Sequence, residues 1–295
     1  MRSLARTPVV VARVTPAASG ADVAPLSRRA ACLGFIAFHA LFPESARARA
    51  PDVVATARSP VANARSAANA YYFANGCFWG RQHTFYDVER ALGRSDDEVT
   101  SVVGYAGGRG GSGTADAVCY YYGPSETVYE RLGHCEAVSV TAKDENELRA
   151  FADAYFASFQ KVPGIGMQRV DPQDAGPGYR NAIGIPGGMA SPAFAVIEAA
   201  NVHKMKLVAG QGNGFTAGKP TETDVVNSVW IYDSNALPFY QAEVYHQFHD
   251  GLGYKFPLEY TQGVKRNALQ RGLIATTGCP EMRERAFAEF ISASA

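Results

Sequence analysis

A chain of 295 residues, 47% apolar and 19% charged, holds enough core for one large or two modest domains and excludes a wholly disordered chain, a collagen and a coiled coil. Basic and acidic residues balance at 28 each, but seven basic ones fall in the first 50 residues against only Asp22 and Glu44, so residues 51–295 carry 21 basic and 26 acidic groups. That mildly acidic body has no footprint for nucleic acid; small molecules or proteins are the expected partners.

Residues 1–27 contain Arg, Ala, Ser, Pro and Val, no Lys and one acid, the composition of an organelle transit peptide. Arg28 and Arg29 follow, then thirteen largely apolar residues up to Phe42, too short to cross a bilayer as a helix, so no stable membrane insertion is expected. Ala46-Arg47-Ala48 and Ala48-Arg49-Ala50 offer a small-x-small cleavage pattern. Residues 1–50 thus resemble the two-part presequence of a thylakoid-lumen protein, with the mitochondrion or chloroplast stroma as the alternative destination. Residues 51–69 read as a linker, and residues 70–295 as one domain with a carboxyl-terminal tail.

Within that domain a strand is predicted at 70–74 and a helix over 78–92, with Phe78, Phe85, Val88 and Leu92 on one face. Strands follow at 100–105 and 137–141. Asp144 with Glu147 starts a helix lined by Leu148, Phe151, Tyr155 and Phe159. A strand at 181–185, a helix from Ser191 and Pro192 to about Lys204, and strands at 205–209 and 225–232 complete the pattern, with a flexible divider at 210–218. The order predicts an α+β fold: a single-domain two-layer sandwich, a mixed β-sheet with helices packed on it.

Three clusters carry chemistry. Cys77, in Gly76-Cys77-Phe78-Trp79-Gly80, ends a strand and precedes a helix, where the helix dipole favours a thiolate. Most free cysteines are small apolar filler, but the flanking glycines favour close approach of a ligand, and Phe78 and Trp79 suit a methyl-bearing group. In Gly133-His134-Cys135-Glu136, a carboxylate entering an apolar strand should be paired or held neutral, which makes Glu136 a candidate general acid. His134 is a candidate base for Cys77, though a turn-capping role fits it better for want of an orienting third residue. The third cluster, Asp174 to Arg180 with Gly176 and Gly178, is a tight turn whose Asp174, Tyr179 and Arg180 offer a hydrogen-bonding wall. The five cysteines, Cys32, Cys77, Cys119, Cys135 and Cys279, are too few and scattered for a disulfide scaffold and include no C-x-x-C pair.

Taken together, GCFWG at 76–80, VGYAGG at 103–108, GHCEAV at 133–138, DAGPGYR at 174–180 and FYQAEVYHQ at 239–247 resemble the peptide methionine sulfoxide reductase A family. The resemblance implies thiol-dependent reduction of the S epimer of methionine sulfoxide, free or protein-bound, with no metal or bound organic cofactor. It makes Cys77 the nucleophile, Glu136 the acid, and Asp174 and Tyr179 the polar wall. Gly76, Phe78, Trp79, His134, Tyr245 and His246 would surround the substrate. Thioredoxin or a similar thiol would be the reductant. Cys279, in a glycine-containing tail, would resolve the oxidised Cys77, and Cys119 matches a position that is usually structural. The sequence departs from the family pattern at Ala115, where a tyrosine is usual; Tyr120, Tyr121, Tyr122 and Tyr129 in the extra residues that follow are candidate replacements. Gln82 stands where Glu is common, and residues 210–224 look inserted. The alternatives are a catalytically impaired sulfoxide-binding module and a Cys77/His134 hydrolase.

Overall fold

Alternating apolar residues build a sheet whose two faces carry different cores. The computed structural model describes residues 64–65, 69–109, 117–170, 174–216, 219–251, 253 and 255–282, so the predicted presequence and nearly all of the linker lie outside the described residues, as does Ala115. The described residues fall within one unit, Thr56–Ala295. No helix among them is long and apolar enough to cross a membrane.

In chain order the elements are β1 (Ala64–Arg65), β2 (Ala70–Ala74), α1 (Phe78–Ala91), β3 (Val102–Ala106), β4 (Cys135–Thr141), α2 (Glu145–Ala157), β5 (Phe159–Val162), β6 (Gly166–Arg169), β7 (Ala182–Ile185), α3 (Ala193–Ala200), β8 (Lys206–Ala209), β9 (Phe215–Thr216), β10 (Lys219–Pro220), β11 (Ser228–Asp233), β12 (Phe239–Gln241) and α4 (Lys265–Gln270). Eight strands form one mixed sheet in the order β1-β12-β3-β4-β2-β7-β11-β8, parallel only where β11 meets β7 and β8. The protein is therefore α+β, a mixed sheet with helices packed on it, as expected.

The period of two along β2 and β4 divides the core. Phe73, Val138 and Val140 face α1, α2 and α3 in a cluster with Phe85, Phe151, Tyr155 and Ile197. Tyr72, Ala74, Cys135 and Ala137 join the second cluster, together with Tyr260, Val264 and Ala268 of the carboxyl-terminal helical stretch. α2 begins as predicted, with the Asp144 side chain accepting from Glu147 N at 2.9 Å.

Several boundaries differ from the sequence expectation. α3 stops at Ala200, short of Lys204, because the Asn201 side chain bonds both Met205 N and Met205 O, and Lys204 turns into the left-handed region. The β5–β6 hairpin, β12 and the helical stretch Glu259–Gln270 had no counterpart in the predicted order. The supposedly loose 210–218 divider is pinned at its start, where Gly210 N donates to Ile231 O at 2.8 Å.

Candidate active site

Cys77 sits at the hinge between β2 and α1 because Gly76 adopts φ 83°, a left-handed conformation that glycine enters without a side-chain penalty. Gly76 N donates to Tyr179 O at 3.0 Å, which ties the cysteine's neighbour to the 174–180 turn. Cys77 is the N-cap of α1, and its side chain makes no capping hydrogen bond. The thiol is buried, and that burial pushes its pKa up. Glu136 and Asp174 push the same way, against the amides of Trp79 and Gly80. The sequence expected a thiolate favoured by the helix dipole; the dipole acts, but desolvation outweighs it, so the resting group is the neutral thiol.

Glu136 enters from β4, opposite Tyr105 in the β3 register and on the α1 side of the sheet. It is buried, and its Oε2 accepts from Phe78 N at 3.0 Å. Burial drives its pKa well above the carboxylate range, with Asp174 and Glu130 adding to the rise and the Phe78 amide opposing it. A carboxyl in this state is a proton donor at neutral pH. Cys135, one residue earlier, points to the opposite face, where its Sγ donates to Ala106 O at 3.5 Å.

Around these two groups lies a set of phenols. Tyr129 is buried and stacks on Tyr105, with ring centroids 4.7 Å apart, and its hydroxyl lies 3.0 Å from that of Tyr121. Tyr179 belongs to the same cluster, since burial followed by Glu136 raises the pKa of both Tyr179 and Tyr129. The Tyr120 pKa is raised by burial, by Glu136 and, more weakly, by Cys77, so this ring also borders the acid and the thiol. Of the four tyrosines offered for the missing one, Tyr120, Tyr121 and Tyr129 join this cluster, while Tyr122 is 53% exposed.

On the apolar side, Phe78 packs between Tyr105 and His246, and Trp79 lies against His246, His249 and Tyr245. Burial lowers the His246 pKa to about 3 and the His249 pKa to about 4, so both rings are neutral near pH 7. His134 does not join this group. Its Nδ1 accepts from Gly108 N at 3.2 Å, its Nε2 lies 2.8 Å from Arg109 O, and burial holds its pKa at about 3. Both nitrogens are spent on the backbone of one turn, so His134 is neither a base for Cys77 nor a ring facing a substrate. Arg180 is fully buried behind the turn, its Nη2 donating to Gly107 O at 2.9 Å and Gly133 O at 3.1 Å.

The cysteine pairing differs from the one expected. Cys279 is bonded to Cys119, with Cα atoms 5.6 Å apart, and Cys77 is free. The tail that carries Cys279 is held by Glu281, which accepts from Val244 N and Tyr245 N. Glu243 lies beside the disulfide, its ligand oxygen and both sulfurs within 4.8 Å of one another, but the sulfurs are spent on each other. Its own oxygens accept from Tyr120 N and the Tyr105 hydroxyl, both at 2.7 Å. Glu243 and Tyr105 were not singled out from the sequence, although both lie inside motifs quoted above; a carboxylate between Ala242 and Val244 was the available signal.

No protein-family model matches the chain, and no curated protein matches it. Among solved structures, methionine sulfoxide reductase A of Corynebacterium diphtheriae aligns over 72% of this chain and 83% of its own, at 19% identity and a TM-score of 0.35.

Proposed function

We propose that the protein is a thiol-dependent oxidoreductase that reduces the S epimer of methionine sulfoxide, free or in proteins, to methionine. The observation that carries this reading is one buried thiol next to one buried, protonated carboxyl, with tyrosine hydroxyls around them and an aromatic wall beside them. A sulfoxide sulfur is a weak electrophile and its oxygen a poor leaving group, so attack must be coupled to protonation. Glu136 gives its proton to the oxygen, the hydroxyls of Tyr179 and Tyr129 hold the developing S–OH, and Cys77 attacks sulfur. Methionine leaves and Cys77 becomes a sulfenic acid, so the sulfoxide is reduced by two electrons and the thiol oxidised by two. The proton that the Cys77 thiol loses returns to Glu136. Phe78 and Trp79 receive the S-methyl group. A dithiothreitol-supported assay on dabsyl-methionine sulfoxide tests this. Release of dabsyl-methionine is expected; thiol-independent hydrolysis of esters or amides, or binding of sulfoxide without turnover, would overturn it.

The phenols make a separate prediction. Because Tyr129 and Tyr179 both stand in the phenol cluster beside Glu136, each can cover part of the other's loss. Tyr129→Phe and Tyr179→Phe should each slow single turnover by about 3- to 5-fold, and the double variant on the order of 10²-fold, more than the product of the two. Strictly additive effects would show that the hydroxyls act independently.

The cysteine arrangement supports a route for recycling. The sulfenic acid of Cys77 condenses with the thiol of Cys119 or Cys279, forming a disulfide and releasing water, and exchange with the remaining thiol leaves the observed Cys119–Cys279 bond and a free Cys77. Peptide mapping after one turnover without reductant should find that bond. Cys119→Ser and Cys279→Ser should each lose thioredoxin-driven cycling while retaining activity in excess dithiothreitol. A terminal Cys77–Cys279 disulfide would refute the relay.

A further inference from the structure

Asn213 and residues 219–224 lie beside the candidate site. Asn213 N donates to Gly107 O at 2.8 Å, and a Cβ on Gly133 would lie 2.2 Å from Asn213 O, so Asn213 lies directly against the turn that precedes Glu136. Residues 219–224 carry two carboxylates, and each serves a buried arginine. Glu222 accepts from the Tyr232 hydroxyl, which in turn accepts from Arg180 Nε at 2.9 Å. Asp224 takes Arg169 in two-point fashion, Nη1 to Oδ1 at 2.9 Å and Nη2 to Oδ2 at 2.8 Å, and Oδ2 also accepts from Gly176 N at 3.2 Å. Arg169 spends its remaining reach on Asp174 O at 2.8 Å and Asn181 Oδ1 at 2.9 Å. The turn that bears Asp174 and Tyr179 is thus gripped by one ion pair at Asp174 and Gly176, and again at Asn181, which follows it. A cavity of about 320 Å³, lined in part by Arg169, Gly176, Pro177 and Asp224, lies at the same place. Where packed side chains would otherwise press the turn into position, the ion pair does so.

We infer that Asp224, acting through Arg169 and the Gly176 amide, is a positioning residue that holds Tyr179 and Asp174 in register with Cys77 and Glu136. The inference rests on the sulfoxide-reduction reading of that site. The transmission is short: Tyr179 N donates to Gly176 O at 2.9 Å, and Tyr179 O accepts from the amide of Gly76, next to the thiol. Misplacement of a catalytic hydroxyl by a fraction of an ångström is enough to slow chemistry without blocking binding.

Two variants test it: Asp224→Asn, and the paired replacement Arg169→Met with Asp224→Leu, which removes both charges together and leaves neither uncompensated. Hydrogen exchange, which needs no turnover, should quicken in peptides spanning 174–181 and stay unchanged in α2. The single-turnover rate should fall about 3- to 5-fold, as in Tyr179→Phe, and in steady state kcat should fall with KM for the sulfoxide little changed. The same replacement made in a Tyr179→Phe background should cost almost nothing further, because the residue through which it acts is already disabled. Unchanged exchange at 174–181, or a loss that persists in full in the Tyr179→Phe background, would overturn the assignment. If the wild-type protein reduces no sulfoxide, the reaction itself is wrong, and hydrogen exchange alone then decides whether Asp224 holds the turn.

Discussion

Cys77→Ser is expected to abolish sulfoxide reduction, by on the order of 10⁴-fold or more, and to leave the fold at least as stable as before. The two halves of that expectation come from the same position. A hydroxyl at the end of β2 cannot attack sulfur at neutral pH, whereas the thiol needs only to surrender its proton as the sulfoxide oxygen takes one from Glu136. Yet Cys77 is also the N-cap of α1 and makes no side-chain capping bond, while serine is among the residues that cap helices well. The variant should therefore gain up to about 1 kcal/mol in thermal unfolding while losing activity. Substantial residual turnover would refute the mechanism, and a large fall in melting temperature would show that the thiol is a packing group.

Glu136→Gln should slow single turnover by roughly 10² to 10⁴, since the amide keeps the shape and the Phe78 contact but has no proton to give. His134→Asn should cost much less, because both ring nitrogens of His134 are bonded to backbone atoms. Stability should move the opposite way. The folded protein holds Glu136 protonated above the ordinary carboxylate range, whereas the unfolded chain releases that proton near pH 4.5. Above that pH the unfolded state binds fewer protons, so stability falls as pH rises, by about 1.4 kcal/mol per pH unit until the folded group ionises. Glutamine removes the penalty. Melting temperatures of wild type and variant should coincide near pH 4 and diverge towards pH 8, with the variant higher. Parallel curves would mean that Glu136 is already ionised in the fold.

Much of this arrangement was legible in the sequence, for identifiable reasons. The period of two that places Glu136 and Cys135 on opposite faces follows from backbone geometry alone. The Asp144 cap and the Gly76 turn likewise follow from local rules, which tertiary packing did not override. What escaped was set by partners distant in the chain. β12 is three residues long, too short for any period to show. The β5–β6 hairpin surrounds a Pro163-Gly164 turn but alternates polar with apolar so weakly that it read as loop. Tyr260, Val264 and Ala268 do recur at helical spacing in the missed carboxyl-terminal helix. The dipole at Cys77 is visible in the sequence, while the depth of burial that keeps its thiol neutral is not. The resemblance points Cys279 towards Cys77, and the folded path of the tail also brings it to Cys119.

That bond joins positions 160 residues apart, and so closes into a loop everything from β4 to α4. One cut in the backbone between Cys119 and Cys279, for instance at the exposed turn around Val202, opens the loop without parting the chain. Both pieces travel together on a gel until a reductant is added. A cut between Cys77 and Cys119 severs the nucleophile from the rest of the site at once. The same nicking protease therefore reports the oxidation state of the tail by which bands separate, with no need to label a thiol.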